Sequence, residues 1–131
     1  MKALNRILLV EDEPDIQSIA RLALEAIGGF TVEVCGSGRE ALDLAPSFAP
    51  DLFILDVMMP EMTGPDTLKA LRSMETTAQT PIIFMTAKVQ PHEITAYKQL
   101  GALDVIMKPF DAMTLSATIT TIWSQYYGQT G

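Results

Sequence analysis

Five short apolar runs set the frame of this chain: Arg6 to Val10, Thr31 to Cys35, Leu52 to Leu55, Pro81 to Met85 and Leu103 to Met107. Several show little alternation of polar and apolar residues, the pattern of strands covered on both faces. Between them stand stretches whose apolar residues recur at helical spacing. Strand and helix in strict alternation predict an α/β fold with a doubly wound, five-stranded parallel sheet.

The helical stretches carry their own start and stop signals. Pro14, with its fixed φ, suits the opening turn of the first helix, and Ile16, Ile19, Ala20, Ala23, Leu24 and Ile27 are its expected buried stripe. Gly28-Gly29 ends it. Ser37 followed by Glu40 reads as a capping box for a second helix that buries Ala41, Leu42 and Ala45, with Pro46 and Pro50 marking its exit. Gly64-Pro65 opens a third, with Leu68 and Leu71 inward, and Gln90-Pro91 opens a fourth that turns Ile94, Tyr97 and Leu100 to the core before Gly101 stops it. Asp111 is the expected cap of the last, whose stripe is Leu115, Ile119, Ile122, Trp123 and Tyr126. No charged residue follows Asp111 through Gly131.

Size and charge narrow the possibilities. At 131 residues the chain fits one domain, taken as 1–131 with a core of about 5–127, and it needs no disulfide to be stable. The lone Cys35 leaves no thiol pair, so a reducing cytoplasm is expected and Cys35 reads as a small buried apolar residue. The first apolar run is too brief for a signal sequence or a membrane span. A formal net charge of −7 disfavours direct nucleic-acid binding.

Chemistry gathers where the runs end. The first leads into Glu11-Asp12, the third into Asp56, the fourth into Thr86 and the fifth into Lys108. With right-handed crossovers, the loops after strands one, three, four and five converge on one crevice at the carboxyl edge of the sheet. Two carboxylates ~5 Å apart repel by about 3 kcal/mol at an effective dielectric of 20, so three together need a cation or a proton. An all-oxygen site without His or Cys selects a hard ion, and Mg²⁺ fits best because it accepts one or two protein carboxylates and completes its shell with water and phosphate oxygens. A carboxylate neutralised in this way is a competent nucleophile toward phosphorus, and the transferring group wants ammonium and hydroxyl donors around it.

The segments VEDEPDI, LFILDVMMPEMTG, IIFMTA and VIMKPF, in this order and spacing, resemble the receiver domain of two-component response regulators, and the likeness covers nearly the whole chain. The single-domain, chemotaxis-type regulators are the form it resembles. The resemblance implies a flavodoxin-like strand order of 2-1-3-4-5 and a cis bond between Lys108 and Pro109. It implies that Asp56 accepts a phosphoryl group from a sensor histidine kinase or phosphotransfer protein. Asp12 would hold Mg²⁺ directly, Glu11 through water, and the Met58 carbonyl would complete the protein ligands. Thr86 and Lys108 would hold the phosphoryl oxygens and report their arrival. Such a protein is a phosphoacceptor switch rather than an enzyme acting on an external substrate, and its signal passes to a downstream protein that these residues do not identify.

Two positions depart from the family pattern. The family often carries Tyr or Phe three residues before its lysine, where this chain has Val105. Two residues beyond the phosphoacceptor and two beyond the threonine stand Met58 and Lys88. A thioether is a weak acceptor that holds an attacking water poorly, so a long-lived phosphoryl state is expected.

Other readings compete. Gly36-x-Gly38-x-x-Ala41 with Asp56 twenty residues after Gly36 fits a dinucleotide fingerprint, yet leaves Glu11, Asp12, Thr86 and Lys108 without roles. An aspartate-nucleophile phosphatase wants an acid two residues after the nucleophile, where Met58 stands. A phosphorylation-independent binding module is the remaining alternative. His92 reads as a surface residue, the methionines as adaptable packing, and the charge-free last helix with Trp123, Tyr126 and Tyr127 as a candidate homodimer contact.

Overall fold

A computed structural model describes residues 3–87 and 89–127. The first two residues, Lys88 and the last four residues lie outside them. Five strands, β1 (Arg6–Val10), β2 (Thr31–Cys35), β3 (Leu52–Asp56), β4 (Ile82–Thr86) and β5 (Asp104–Met107), alternate with helices α1 (Pro14–Leu22), α2 (Gly38–Phe48), α3 (Gly64–Arg72), α4 (Pro91–Leu100) and α5 (Leu115–Tyr127). All strands are parallel in the order β2-β1-β3-β4-β5. The chain therefore winds outward from β1 to β2, then returns past β1 to β3, and the reversal leaves a crevice beyond the carboxyl ends of β1 and β3.

Alternation along the buried strands builds two apolar layers. Ile7, Leu9, Ile54, Ile83, Met85 and Ile106 face α1 and α5, meeting Ala20, Leu24, Leu115, Ile119 and Trp123. Leu8, Val10, Phe53, Leu55, Ile82 and Phe84 face the other way, onto α2 and α3. β3 and β4 are buried along their whole length, including the terminal Asp56 and Thr86.

Some expectations need correction. Ile19 of α1 and Ile27 beyond its end are exposed, 50% and 47%, rather than part of a buried stripe. Beyond Leu22 the helix continues as a π-helical segment, Ala23–Ile27, in which the Gly28 N–H reaches back five residues to the Ala23 carbonyl at 3.2 Å. The wider turn rotates Ile27 away from the face that Leu24 buries. The Ser116 hydroxyl of α5 donates to the same Ala23 carbonyl at 3.0 Å.

Pro46 does not end α2, which runs on to Phe48 with Ala49 as a left-handed cap. Proline in the last turn forfeits little, and Phe48 is held by the Arg6 guanidinium 4.2 Å above its ring and by a 2.9 Å bond from Arg6 Nε to its carbonyl. In α4 no residue is buried; Ile94 and Tyr97 are half-buried and Leu100 is exposed. Tyr126 is likewise exposed, its hydroxyl donating to the Leu103 carbonyl at 3.0 Å. Asp111 closes the turn before α5, with its Oδ1 accepting from the Met113 N–H at 2.9 Å. The helix itself starts at Leu115.

Candidate functional site: an acidic crevice at the carboxyl edge

Strand register brings the strand-end residues together. Asp56 lies beside Met85 at the end of β3, Thr86 closes β4, and the Lys108 N–H donates to the Thr86 carbonyl at 2.8 Å, extending the ladder one step past β5. Glu11 continues β1 by donating its N–H to the Cys35 carbonyl at 3.0 Å. Behind Asp56 the chain loops out and returns at Gly64, whose N–H donates to the Val57 carbonyl at 2.9 Å. A Cβ on Gly64 would stand 2.6 Å from the Asp56 carbonyl oxygen and 2.9 Å from Val57 Cα, so only glycine lets the loop close this tightly. Thr63 and Asp66 fasten the same junction with a reciprocal capping box that the sequence reading missed, although a threonine three residues before an acid signals one.

The acids are crowded and dry. Glu11 and Asp56 are 1% and 3% exposed, and carboxylate oxygens of Glu11, Asp12 and Asp56 lie within 4.8 Å of one another. The Lys108 ammonium bridges two of them, 2.8 Å from Glu11 Oε1 and 3.3 Å from Asp56 Oδ1. Asp56 Oδ1 also accepts from the Met58 N–H at 3.3 Å, and Glu11 Oε2 from the Glu13 N–H at 3.1 Å. Asp12 Oδ1 is buried with no hydrogen-bond partner among the described residues.

Electrostatics follow from this geometry. Burial pushes the Asp56 carboxyl from its ordinary 3.8 up to about 7, with Glu11 pushing the same way and Lys108 opposing. Burial pulls Lys108 down, but its bond to Glu11 and the charges of Asp56 and Glu11 outweigh this and leave it raised. Three carboxylates against one ammonium leave two negative charges uncompensated, the charge of one divalent cation. The orphaned Asp12 oxygen and the all-oxygen donor set fit a hard ion such as Mg²⁺.

A cavity of about 220 Å³ opens over Asp56, lined by Glu13, Met58, Thr86, Ala87 and Lys108. It adjoins an apolar groove of about 290 Å³ between Ile16 and Ile19 of α1 and Pro109 and Phe110, the two sharing Glu13, Ala87 and Lys108. The Lys108-Pro109 peptide is cis, as the resemblance implied. Glu13, next to Glu11 and Asp12 in the same acidic run, forms one wall of the crevice.

The segment around Gly36 has a different use. Its N–H donates to Glu40 Oε1 at 2.9 Å, the Glu40 N–H donates to Ser37 Oγ at 3.2 Å, and a Cβ on Gly38 would strike Thr67 of α3. The first glycine's donor is thus engaged in capping α2, and the second lets α2 approach α3, which removes the dinucleotide fingerprint.

Comparisons with known proteins agree with the crevice. The family profile described as the response regulator receiver domain matches residues 7–120. The transcriptional regulatory protein CpxR of Escherichia coli is 42% identical over 127 residues, covering 93% of this chain and 53% of CpxR. The regulatory protein AtoC of the same organism is 39% identical over 119 residues, covering 91% of this chain and 25% of AtoC. The chain thus spans about half, or less, of the length of these curated relatives. The solved structure of the Vibrio cholerae chemotaxis protein CheY4 superposes with a TM-score of 0.84 at 34% identity, covering 92% of this chain and 99% of that one.

Proposed function

The chain belongs to the response regulator receiver domain family, and on that premise we propose that Asp56 is its phosphoacceptor. The observation that carries this reading is the meeting of Glu11, Asp12 and Asp56 within 4.8 Å of one another, beside the ammonium of Lys108. The donor is a phosphohistidine of a sensor histidine kinase or phosphotransfer protein in the cytoplasm. An Asp56 carboxylate oxygen forms the new bond to phosphorus while the bond from phosphorus to the donor imidazole nitrogen breaks, its electron pair leaving with that nitrogen. Asp56 must be ionised to attack, and burial beside Glu11 works against this near neutral pH.

Asp12, Asp56 and the carbonyl of Met58 would hold Mg²⁺, with Glu11 acting through water. When bound, the ion supplies the positive charge that lets these carboxylates ionise together and offsets charge on the phosphoryl oxygens. Lys108, released from part of its pairing with Asp56, donates to one phosphoryl oxygen, and the Thr86 hydroxyl donates to another. Among the described residues no helix is long and apolar enough to cross a membrane. The apolar groove beside the crevice, with Ile19 exposed on its rim, suits the donor protein, because whatever delivers phosphorus to Asp56 must rest against this edge.

Output leaves through a downstream protein whose surface the phosphoryl state favours or disfavours. A homodimer through α5 is a second outlet, with Tyr126 exposed on that helix and Trp123 committed to the core. Sizing with a stable phosphoryl mimic tests it; an unchanged monomer removes it. Met58, 73% exposed at the mouth of the crevice, offers an attacking water only a weak acceptor, so the phosphoryl group should outlast that of fast-cycling relatives after donor removal. Decay within seconds would contradict that expectation.

The reading is tested by incubating the protein with acetyl phosphate and Mg²⁺ and measuring intact mass for wild type and Asp56→Asn. One phosphoryl adduct on wild type and none on the variant is the expected result. An adduct on both would place the acceptor elsewhere, and none on either would favour a phosphorylation-independent binding module.

A further inference from the structure

α4 is the least embedded helix of the five: no residue in it is buried, and Leu100 at its end is 39% exposed. Tyr97 is what fastens it. The half-buried ring meets the buried Phe84 edge-on, with centroids 5.1 Å apart and planes at 72°. Lys98 also approaches Asp104 at 3.7 Å, but both side chains are substantially exposed and such a pair holds weakly.

Phe84 stands two residues before Thr86 on β4, so both side chains leave the strand on one face. Register sets Val105 of β5 directly beside Phe84, and both Tyr97 and Val105 pack against the apolar layer that contains Phe84. Helical side chains lean toward the start of their helix, and α4 starts at the carboxyl edge of the sheet, just after Thr86. The Tyr97 ring therefore leans toward the edge that carries the crevice. A bulky ring at 105 would compete for the same layer, and valine leaves it to Tyr97.

We propose that Tyr97 is the positioning residue that couples the crevice to α4, supplying from the helix the aromatic ring that β5 lacks at Val105. The inference rests on the reading of Asp56 as phosphoacceptor. When Thr86 turns toward a phosphoryl group, the layer beside Phe84 changes shape, and α4 follows because Tyr97 is its principal anchor there.

The test is hydrogen exchange of residues 91–100, measured by mass spectrometry on the full chain with and without acetyl phosphate and Mg²⁺, with intact mass reporting the adduct. In wild type and Tyr97→Phe, phosphorylation should change exchange in this helix roughly fivefold or more. In Tyr97→Ala, and in Tyr97→Leu, which keeps apolar bulk without the ring, the adduct should form to the wild-type extent while exchange is equal in both states. Adding Val105→Tyr to Tyr97→Ala should restore the difference, whereas Val105→Leu, which refills the same layer without a ring, should not. A wild-type response in both ringless variants, or no rescue by Val105→Tyr, overturns the inference while leaving the phosphoacceptor reading intact. Absence of an adduct on the wild-type protein overturns both.

Discussion

The two rims of one sheet handle charge in opposite ways. At the amino rim two charges are held by the backbone: Asp51 Oδ2 accepts from the Asn5 and Arg6 N–H groups at 3.0 and 2.8 Å, and Arg72 donates to the Thr77 and Thr80 carbonyls at 3.2 and 2.7 Å. At the carboxyl rim three acids crowd around one ammonium that reaches only two of them, and a buried Asp12 oxygen has no partner among the described residues. The first arrangement secures the fold. The second leaves like charges facing one another, which is costly for the fold and fits the cation and the phosphoryl group of the proposed function.

The largest expected contrast is in labelling. Asp56→Asn should lose the acetyl phosphate adduct entirely, while Arg72→Ala, at the other rim, should keep it; intact mass reads both. Asp12→Ala comes next, with a labelling rate lowered roughly 10- to 100-fold at fixed Mg²⁺, because the proposed direct ligand to the ion is gone. A labelling rate unchanged by Asp12→Ala would remove the cation from the account.

Stability should show the reverse. Arg72→Ala strips two carbonyls of a charged donor and should cost about 2–3 kcal/mol in urea unfolding, whereas Asp56→Asn should stabilise the metal-free protein. The sign of its pH dependence follows from linkage. The folded Asp56 carboxyl keeps its proton up to about 7, but the unfolded one releases it near 3.8, so between these values the folded state binds more protons and wild-type stability falls as pH rises. Asparagine has no such slope. The variant's advantage in metal-free buffer should be absent below pH 4, grow to on the order of 4 kcal/mol above pH 7, and shrink when Mg²⁺ is added. The smallest effect is at Cys35, whose thiol burial pushes up to about 12, helped by Glu40 and Glu33. It should stay unreactive toward disulfide reagents at neutral pH until the protein unfolds.

Much of this contrast was legible in the residues. The five apolar runs fall on the five strands within a residue or two, and the acids, hydroxyl and ammonium that follow them do meet, because parallel strands joined by right-handed crossovers send all their carboxyl ends to one edge. Less legible were features set by local backbone geometry. Ile27 has the spacing of a buried residue, and nothing in Ala23-Leu24-Glu25-Ala26-Ile27 announces the wider π-helical turn that rotates it outward. Pro46 signals a helix end, yet α2 outlasts it because Arg6, far away in sequence, holds Phe48 in place. Leu100 fits a buried stripe, but β5 is an edge strand that offers α4 little surface to cover. The orphaned Asp12 oxygen has no sequence signature at all, because only the packed rim determines which acid goes unpaired.

The most direct measurement is a carboxyl NMR titration of Asp56, assigned by comparison with Asp56→Asn, in chelated buffer and again in Mg²⁺. Three acids sharing one dry crevice predict a midpoint of about 7 without the ion and a marked fall when it is supplied. A midpoint in the ordinary aspartate range that ignores Mg²⁺ would mean that the acids do not share a site, and the account of this rim would fail.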